Sequence, residues 1–163
     1  MAGALQQVLE SGFPVAVPRV ICAVRSNCRR TKIVAKTILK HREKKISTGP
    51  YSAGVECDGW VYVSGHASQD LKTGESLAGT IKEETARTLE HIGKVLKEAG
   101  CGFEDIVKCT CHLAHIEDFQ AFNEVYARFF PHDPPARTTV QSVLWGNLKV
   151  EIDAVARVPS GRH

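Results

Sequence analysis

Residues 80–100, TIKEETARTLEHIGKVLKEAG, lead into DIVKCTCHLA at 105–114, and the change of period between them decides the fold. In the first stretch Ile81, Thr85, Leu89, Ile92, Leu96 and Ala99 recur at the spacing of a helix with one apolar face. Thr80 and Glu83 supply a T-x-x-E capping box at its start, and Gly100 suits its end. In the second stretch Val107, Cys109, Cys111 and Leu113 alternate, which predicts a strand with those residues on one face. EDFQAFNEVYARFF at 117–130 returns to helical spacing through Phe119, Phe122, Tyr126 and Phe129, and Pro131 closes it.

The flanks read as sheet. VECDGWVYVSG at 55–65 places Asp58-Gly59 between two β-rich runs, a hairpin signal, because a type I′ turn needs positive φ at both central positions. ISTGPYSAG and ASQDLKTGESLAG read as loops. Two strands, Arg137–Leu144 and Leu148–Val158, finish the domain, joined by a short turn at Trp145–Asn147. Sheet and helix thus alternate within one short α+β domain, with two helices covering one face of a mixed sheet. In the last strand Val150, Ile152, Ala154, Ala156 and Val158 point one way, and Glu151, Asp153, Val155 and Arg157 the other. The second set is half polar, as expected at a site or a subunit interface.

The 163 residues suffice for one domain with a core. No apolar run approaches the roughly 18 residues that span a bilayer. The net charge of +3 hides an asymmetry: residues 1–45 carry 10 Lys and Arg against Glu10 and Glu43, giving +8, and residues 46–163 carry 11 against 16 acids, giving −5. The mildly acidic body argues against a nucleic-acid-binding surface there. Residues 1–45 are therefore set apart as a basic extension, unstructured or loosely helical near Thr31–Leu39. An Arg-rich, acid-poor start fits an organelle transit peptide, a basic tail, or upstream sequence read from the wrong start. The expected location is cytoplasmic, or mitochondrial or another organelle if the extension is a transit peptide. The folded domain is expected over 46–158, with a short tail at 159–163. The six cysteines form neither a CxxC pair nor a disulfide framework, which suits reduced thiols.

Arg137 and Glu151 are the first candidates for chemistry. On adjacent strands they would form a cross-strand salt bridge, worth little when exposed. Alternatively the guanidinium binds a carboxylate bidentately and the carboxylate orients a water. Cys109, Cys111, His112 and His115 lack paired ligand arms and read as core packing and surface rather than a metal site. His66, after Ser64-Gly65 at a strand end, reads as a packing histidine or a site-lining one. No nucleophile elbow, dinucleotide fingerprint or Walker loop is present. The charge run at Lys82–Glu84 reads as the solvated face of its helix.

The body resembles the RidA/YjgF family of reactive-intermediate deaminases. The resemblance is carried by GPYSAGV (49–55), WVYVSG (60–65), KTGE (72–75), DIVKCTCHLAHIEDFQAFNEVYARFF (105–130), PARTTV (135–140) and KVEIDAVA (149–156), in the family's order and spacing. It implies a chorismate-mutase-like α+β domain, three copies of which pack their sheets into a barrel with active sites between neighbouring subunits. It also implies hydrolysis of 2-imino acids and enamines to 2-oxo acids and ammonia, with no metal or organic cofactor; the acidic body and the lack of a spanning apolar run add the expectation of no nucleic-acid partner and no membrane. Residue by residue, it makes Arg137 the carboxylate binder and Glu151 the water-positioning group. Thr139 would contribute mainly its backbone, Tyr51 would cover the pocket from the neighbouring subunit, Ser64 and Gly65 would form its wall, and Asn123 would support it.

Two departures stand out. His66 replaces the glutamine of many members, and the stretch between Arg137 and Glu151 is about one residue short, with Trp145 inside it. A non-catalytic, ligand-binding trimer of the same fold is therefore the alternative reading. A ribonuclease or translation inhibitor is a third, disfavoured by the acidic body and the lack of an aromatic-basic surface.

Overall fold

A computed structural model of the chain describes residues 35–43 and 49–161. Most of the basic extension, and the end of the C-terminal tail, lie outside the described residues. Eight principal elements follow in order: β1 (Lys36–Leu39), β2 (Gly54–Cys57), β3 (Trp60–Ala67), α1 (Ile81–Glu98), β4 (Ile106–Leu113), α2 (Phe119–Phe129), β5 (Ala136–Gln141) and β6 (Val150–Arg157). The strands form one mixed sheet in the order β1-β2-β3-β6-β4-β5, in which only β4 and β5 run parallel. A parallel pair needs a crossover, and α2 supplies it. No helix among the described residues is long and apolar enough to cross a membrane.

The local signals act as their chemistry dictates. Asp58 and Gly59 adopt φ of 53° and 77°, and the hairpin of β2 and β3 closes on them. At the start of α1 the Thr80 hydroxyl accepts from the Glu83 amide at 3.3 Å while Glu83 Oε2 accepts from the Thr80 amide at 2.8 Å. At its end Gly100 takes φ 68°, the Cys101 amide donates to the Leu96 carbonyl and the Gly100 amide to Lys97, a Schellman closure. The buried face of α1 packs on β3 and β6, where Leu89 and Ile92 meet Val61, Ile152 and Ala154 in the core. The β6 residues alternate as expected, with Glu151, Asp153 and Val155 on the opposite face.

Four expectations are corrected. First, Lys36–Leu39 is an edge strand paired with β2 and not a loose helix, so the sheet begins inside the segment set aside as an extension. Leu39 is buried in the core, and Glu43 reaches Lys94 of α1 at 2.7 Å. Second, β5 and β6 are not neighbours, because β4 lies between them. The chain leaves the sheet at Ser142 and returns at Val150, a longer link than the expected turn. Third, a bulge between Ile106 and Lys108 turns Val107 out to solvent and puts Ile106 in the core. Fourth, Phe119 is more than one-third exposed rather than buried with Phe122.

Glu84 departs furthest from its reading as a solvated charge. It is wholly buried, and both its oxygens are used: Oε1 accepts from the Gly79 amide at 3.0 Å and Oε2 from the Lys149 amide at 2.8 Å. The Lys149 ammonium stands 4.0 Å from Oε1. One carboxylate thus fastens the loop before α1 to the start of β6. Removing it leaves two part-buried amides without their partner. Glu84→Ala should cost about 3 kcal/mol or more, from two charge-assisted hydrogen bonds and the amides left unpaired. Glu84→Gln, which keeps an acceptor for only one amide, should lose roughly half of that. Urea unfolding midpoints of the three proteins measure the difference; unchanged midpoints would show that the buried carboxylate is no anchor.

Candidate functional site

Arg137 sits near the start of β5 and pairs across the ladder with Cys109, whose side chain is in the core. It therefore points to the helix side of the sheet. There its guanidinium lies over three rings of α2, with its central carbon 4.6 Å from the Tyr126 centroid, 5.3 Å from Phe122 and 5.6 Å from Phe119. Phe119, partly exposed, forms one wall of this cationic slot. No acid among the described residues lies within ion-pair distance of Arg137. The group opens on a cavity of about 410 Å³ shared with Asn123, Tyr126, Phe130 and the Pro134–Pro135 approach. Thr139 pairs with Cys111 on the same side of the sheet.

Glu151 occupies another place. It pairs with His112 and Ala67 on the opposite face of β6 from the buried Ile152. It lines a cavity of about 450 Å³ with Tyr51, Ser64, Gly65, Ala67, Gln69, Trp145 and Leu148. A Cβ at Gly65 would collide with Glu151 Oε1, so only glycine lets the carboxylate lie against the β3 backbone. The Ser64 hydroxyl donates to the Ser52 carbonyl at 2.7 Å and the Ser64 amide to Ala53, which ties the Tyr51 loop down. On the far wall Arg87 donates to the buried Ser68 hydroxyl and to the Leu77 carbonyl, fixing the loop that carries Gln69.

The residues singled out from the sequence thus divide. Arg137 and Asn123 share one cavity, while Tyr51, Ser64, Gly65 and Glu151 share the other. His66 lines neither. The bulge between Val63 and His66 turns its ring behind the Glu151 cavity, into a smaller hollow with His41 and His91. Its Nδ1 donates to the Ser64 carbonyl at 2.6 Å, and His91 Nδ1 donates to the Ala67 carbonyl at 3.2 Å. The His41 ring lies 6.1 Å from His66 and 5.8 Å from His91.

The two thiols on β4 belong to the core, as read. Burial pushes Cys111 up to about 12 and raises Cys109 as well, so neither is a thiolate at neutral pH. Burial also raises the Tyr126 phenol. Missing from the sequence reading were the α2 rings as a cradle for Arg137, and Glu84, Arg87 and Gln69 as supports. The ring spacing was visible, but it signals a core face equally well.

The domain is a mixed-sheet α+β fold that carries a cation-bearing cleft on one face and a carboxylate-bearing cleft on the other. The chain belongs to the RidA/YjgF family: residues 42–158 match the family described as Endoribonuclease L-PSP. A RutC family protein of Saccharolobus solfataricus is 44% identical over 110 residues, 67% of this chain and 87% of that one. The 2-iminobutanoate/2-iminopropanoate deaminase of Homo sapiens is 40% identical over 109 residues, 66% of this chain and 80% of that one. The crystal structure of E. coli TdcF with bound serine superposes with a TM-score of 0.69 at 31% identity, covering 76% of this chain and 99% of that one.

The histidine hollow makes a prediction about pH. Burial, ahead of the charges of His41 and Lys94, holds His91 down from 6.5 to about 4 against the opposing pull of the Ala67 carbonyl and Glu43. Above pH 6.5 the ring is neutral folded or unfolded and its titration contributes nothing. Below that value the unfolded chain takes up a proton the native chain refuses, so stability falls as the pH drops towards 4. Between pH 6.5 and about 5 the loss is at most ~2 kcal/mol. Urea midpoints across this range should fall less for His91→Gln than for the wild type; parallel curves would contradict the assignment.

Proposed function

We propose that the protein hydrolyses 2-imino acids to 2-oxo acids and ammonia, at sites completed between neighbouring copies in a homotrimer. The observation that carries this reading is Arg137: a half-buried guanidinium, held by three aromatic faces, facing a cavity with no acid beside it among the described residues. A fork of donors of this kind matches a small carboxylate. The deaminase named for its human relative and the serine bound by E. coli TdcF support a small amino-acid-like ligand.

The reaction adds water across C=N and expels ammonia: R–C(=NH)–COO⁻ + H₂O → R–CO–COO⁻ + NH₃. The imine carbon is already electrophilic, so the protein need only hold the molecule, direct a water to that carbon and move protons. Arg137 anchors the carboxylate. Glu151 accepts a proton from the water as it attacks and returns it to the departing nitrogen. Holding the two reactants in register lowers the entropic part of the barrier.

Association is supported by the sheet. On the face away from the helices, Ile38, Val55, Tyr62 and Val155 stand side by side across four successive strands. Ile38 and Tyr62 are exposed and Val55 and Val155 half-exposed. An apolar row of this kind marks an interaction surface. The opposite placement of Arg137 and Glu151 supports a shared site, to which each copy would contribute one half.

Arg137→Ala should lower kcat/KM about 30-fold or more, since losing one partner of a desolvated charge pair costs roughly 2–5 kcal/mol. Arg137→Lys should fail too, having lost the planar fork. An assay coupled to an amino-acid oxidase, following 2-oxo acid release, measures both; an Arg137→Ala protein of wild-type activity removes the mechanism. The shared site has its own test. Arg137→Ala and Glu151→Gln proteins, each inactive, should recover activity when unfolded and refolded together. Random mixing gives about a quarter of sites both intact groups. No recovery would mean that one copy supplies both.

A further inference from the structure

We propose that Trp145 selects the substrate: its indole receives the imino acid's side chain and favours 2-imino acids carrying large apolar or aromatic groups. The inference rests on the assignment of Glu151 as the water-directing group and deepens it. Trp145 is 69% exposed, yet it lines the Glu151 cavity. An indole left in water beside a concave site is a contact surface waiting for a partner.

The loop that carries it is not a loose tip. Leu148, three residues on, is buried, and the Lys149 amide is fixed to the buried Glu84 carboxylate at 2.8 Å. Gly146 takes φ 64°, and its backbone lies close to Ser76 of the facing loop, where an added Cβ would stand 3.3 Å from the hydroxyl. The turn that projects the indole is therefore built in from both sides.

The cavity's chemistry is divided. Ser64, Gln69 and Glu151 supply polar groups, whereas Ala67, Leu148 and Trp145 supply apolar ones. A 2-imino acid has the same division: its C=N belongs beside the carboxylate and its side chain beside the apolar residues. The smallest member, 2-iminopropanoate, offers only a methyl group and would leave the indole face uncovered, whereas a benzyl side chain would cover it.

The test compares kcat/KM for 2-imino-3-phenylpropanoate and 2-iminopropanoate, each generated in situ by an amino-acid oxidase. Trp145→Ala should lower the ratio of the two about tenfold, or ~1.4 kcal/mol, and mainly through KM, as expected of contacts made equally in ground and transition states. Trp145→Phe should keep the ratio within about threefold of the wild type, because an aromatic face remains. A ratio that does not move, or an equal loss on both substrates, overturns the proposal. If the wild type turns over neither imine, the deaminase reading fails, and calorimetric titration then decides this one separately. Tighter binding of 2-oxo-3-phenylpropanoate than of pyruvate, with the difference lost in Trp145→Ala, supports it. Equal affinities for the two oxo acids in the wild type overturn it.

Discussion

The two-residue period of the pleated sheet governs everything that follows in this molecule. Residues an odd number apart on one strand face opposite ways. Cys109 and His112 are three apart on β4; the first pairs with Arg137 and the second with Glu151. The guanidinium is therefore committed to the helix side and the carboxylate to the open side. A side-chain rotation cannot change sides, and a one-residue slip of either strand would expel its buried set from the core. The proposed chemistry, which uses both groups, therefore calls for two chains.

Arg137 and Glu151 are then each held from the core by a device of their own. Arg137 is steadied by the rings of α2, so the helix that completes the parallel crossover also shapes its cleft. Glu151 is steadied through the backbone. Its neighbour Lys149 is captured by Glu84, its carboxylate rests on Gly65, and the Tyr51 loop is stapled by Ser64. The wholly buried Glu84 is thus connected to the strand that carries Glu151. Burying an ionised carboxylate is expensive unless its oxygens are satisfied. Here two backbone amides satisfy them, and the return is a fixed loop.

Much of this was legible in the sequence where one residue type has one physical use. Asp58-Gly59, the Thr80–Glu83 box, Gly100 and the alternation in β6 all stand as read. The failures arise where a pattern has two physical solutions. Lys82–Glu84 reads as solvent-facing because charges seldom enter cores, and only the fold reveals two amides needing a carboxylate. Val107 fits the alternation until a bulge consumes one position. Lys36–Leu39 was hidden by the basic composition around it, although Thr37 and Ile38 are β-branched and suit an edge strand. Arg137 and Glu151 could be named, but strand order could not. Sequence proximity of β5 and β6 suggested pairing, and the parallel crossover through α2 puts β4 between them. His66 was placed by motif position, whereas the bulge at the same spot decides which way its ring points.

The proposed chemistry needs no strong nucleophile. Cys109 and Cys111 stand one ladder step from Arg137 and Thr139, yet burial holds their thiols protonated and unavailable. Addition of water to an imine asks for no nucleophile stronger than water and no leaving group worse than ammonia. The barrier is mostly one of encounter, orientation and proton movement. A protein with such a task gains more from fixing distances than from activating a side chain. The constraints found here fit that demand: a glycine where a carboxylate must approach the backbone, a buried acid that holds a loop, and rings that hold a guanidinium. It follows that the residues most sensitive to substitution extend beyond those proposed to touch the substrate, because displacing Glu84 or Gly65 moves the Glu151 carboxylate.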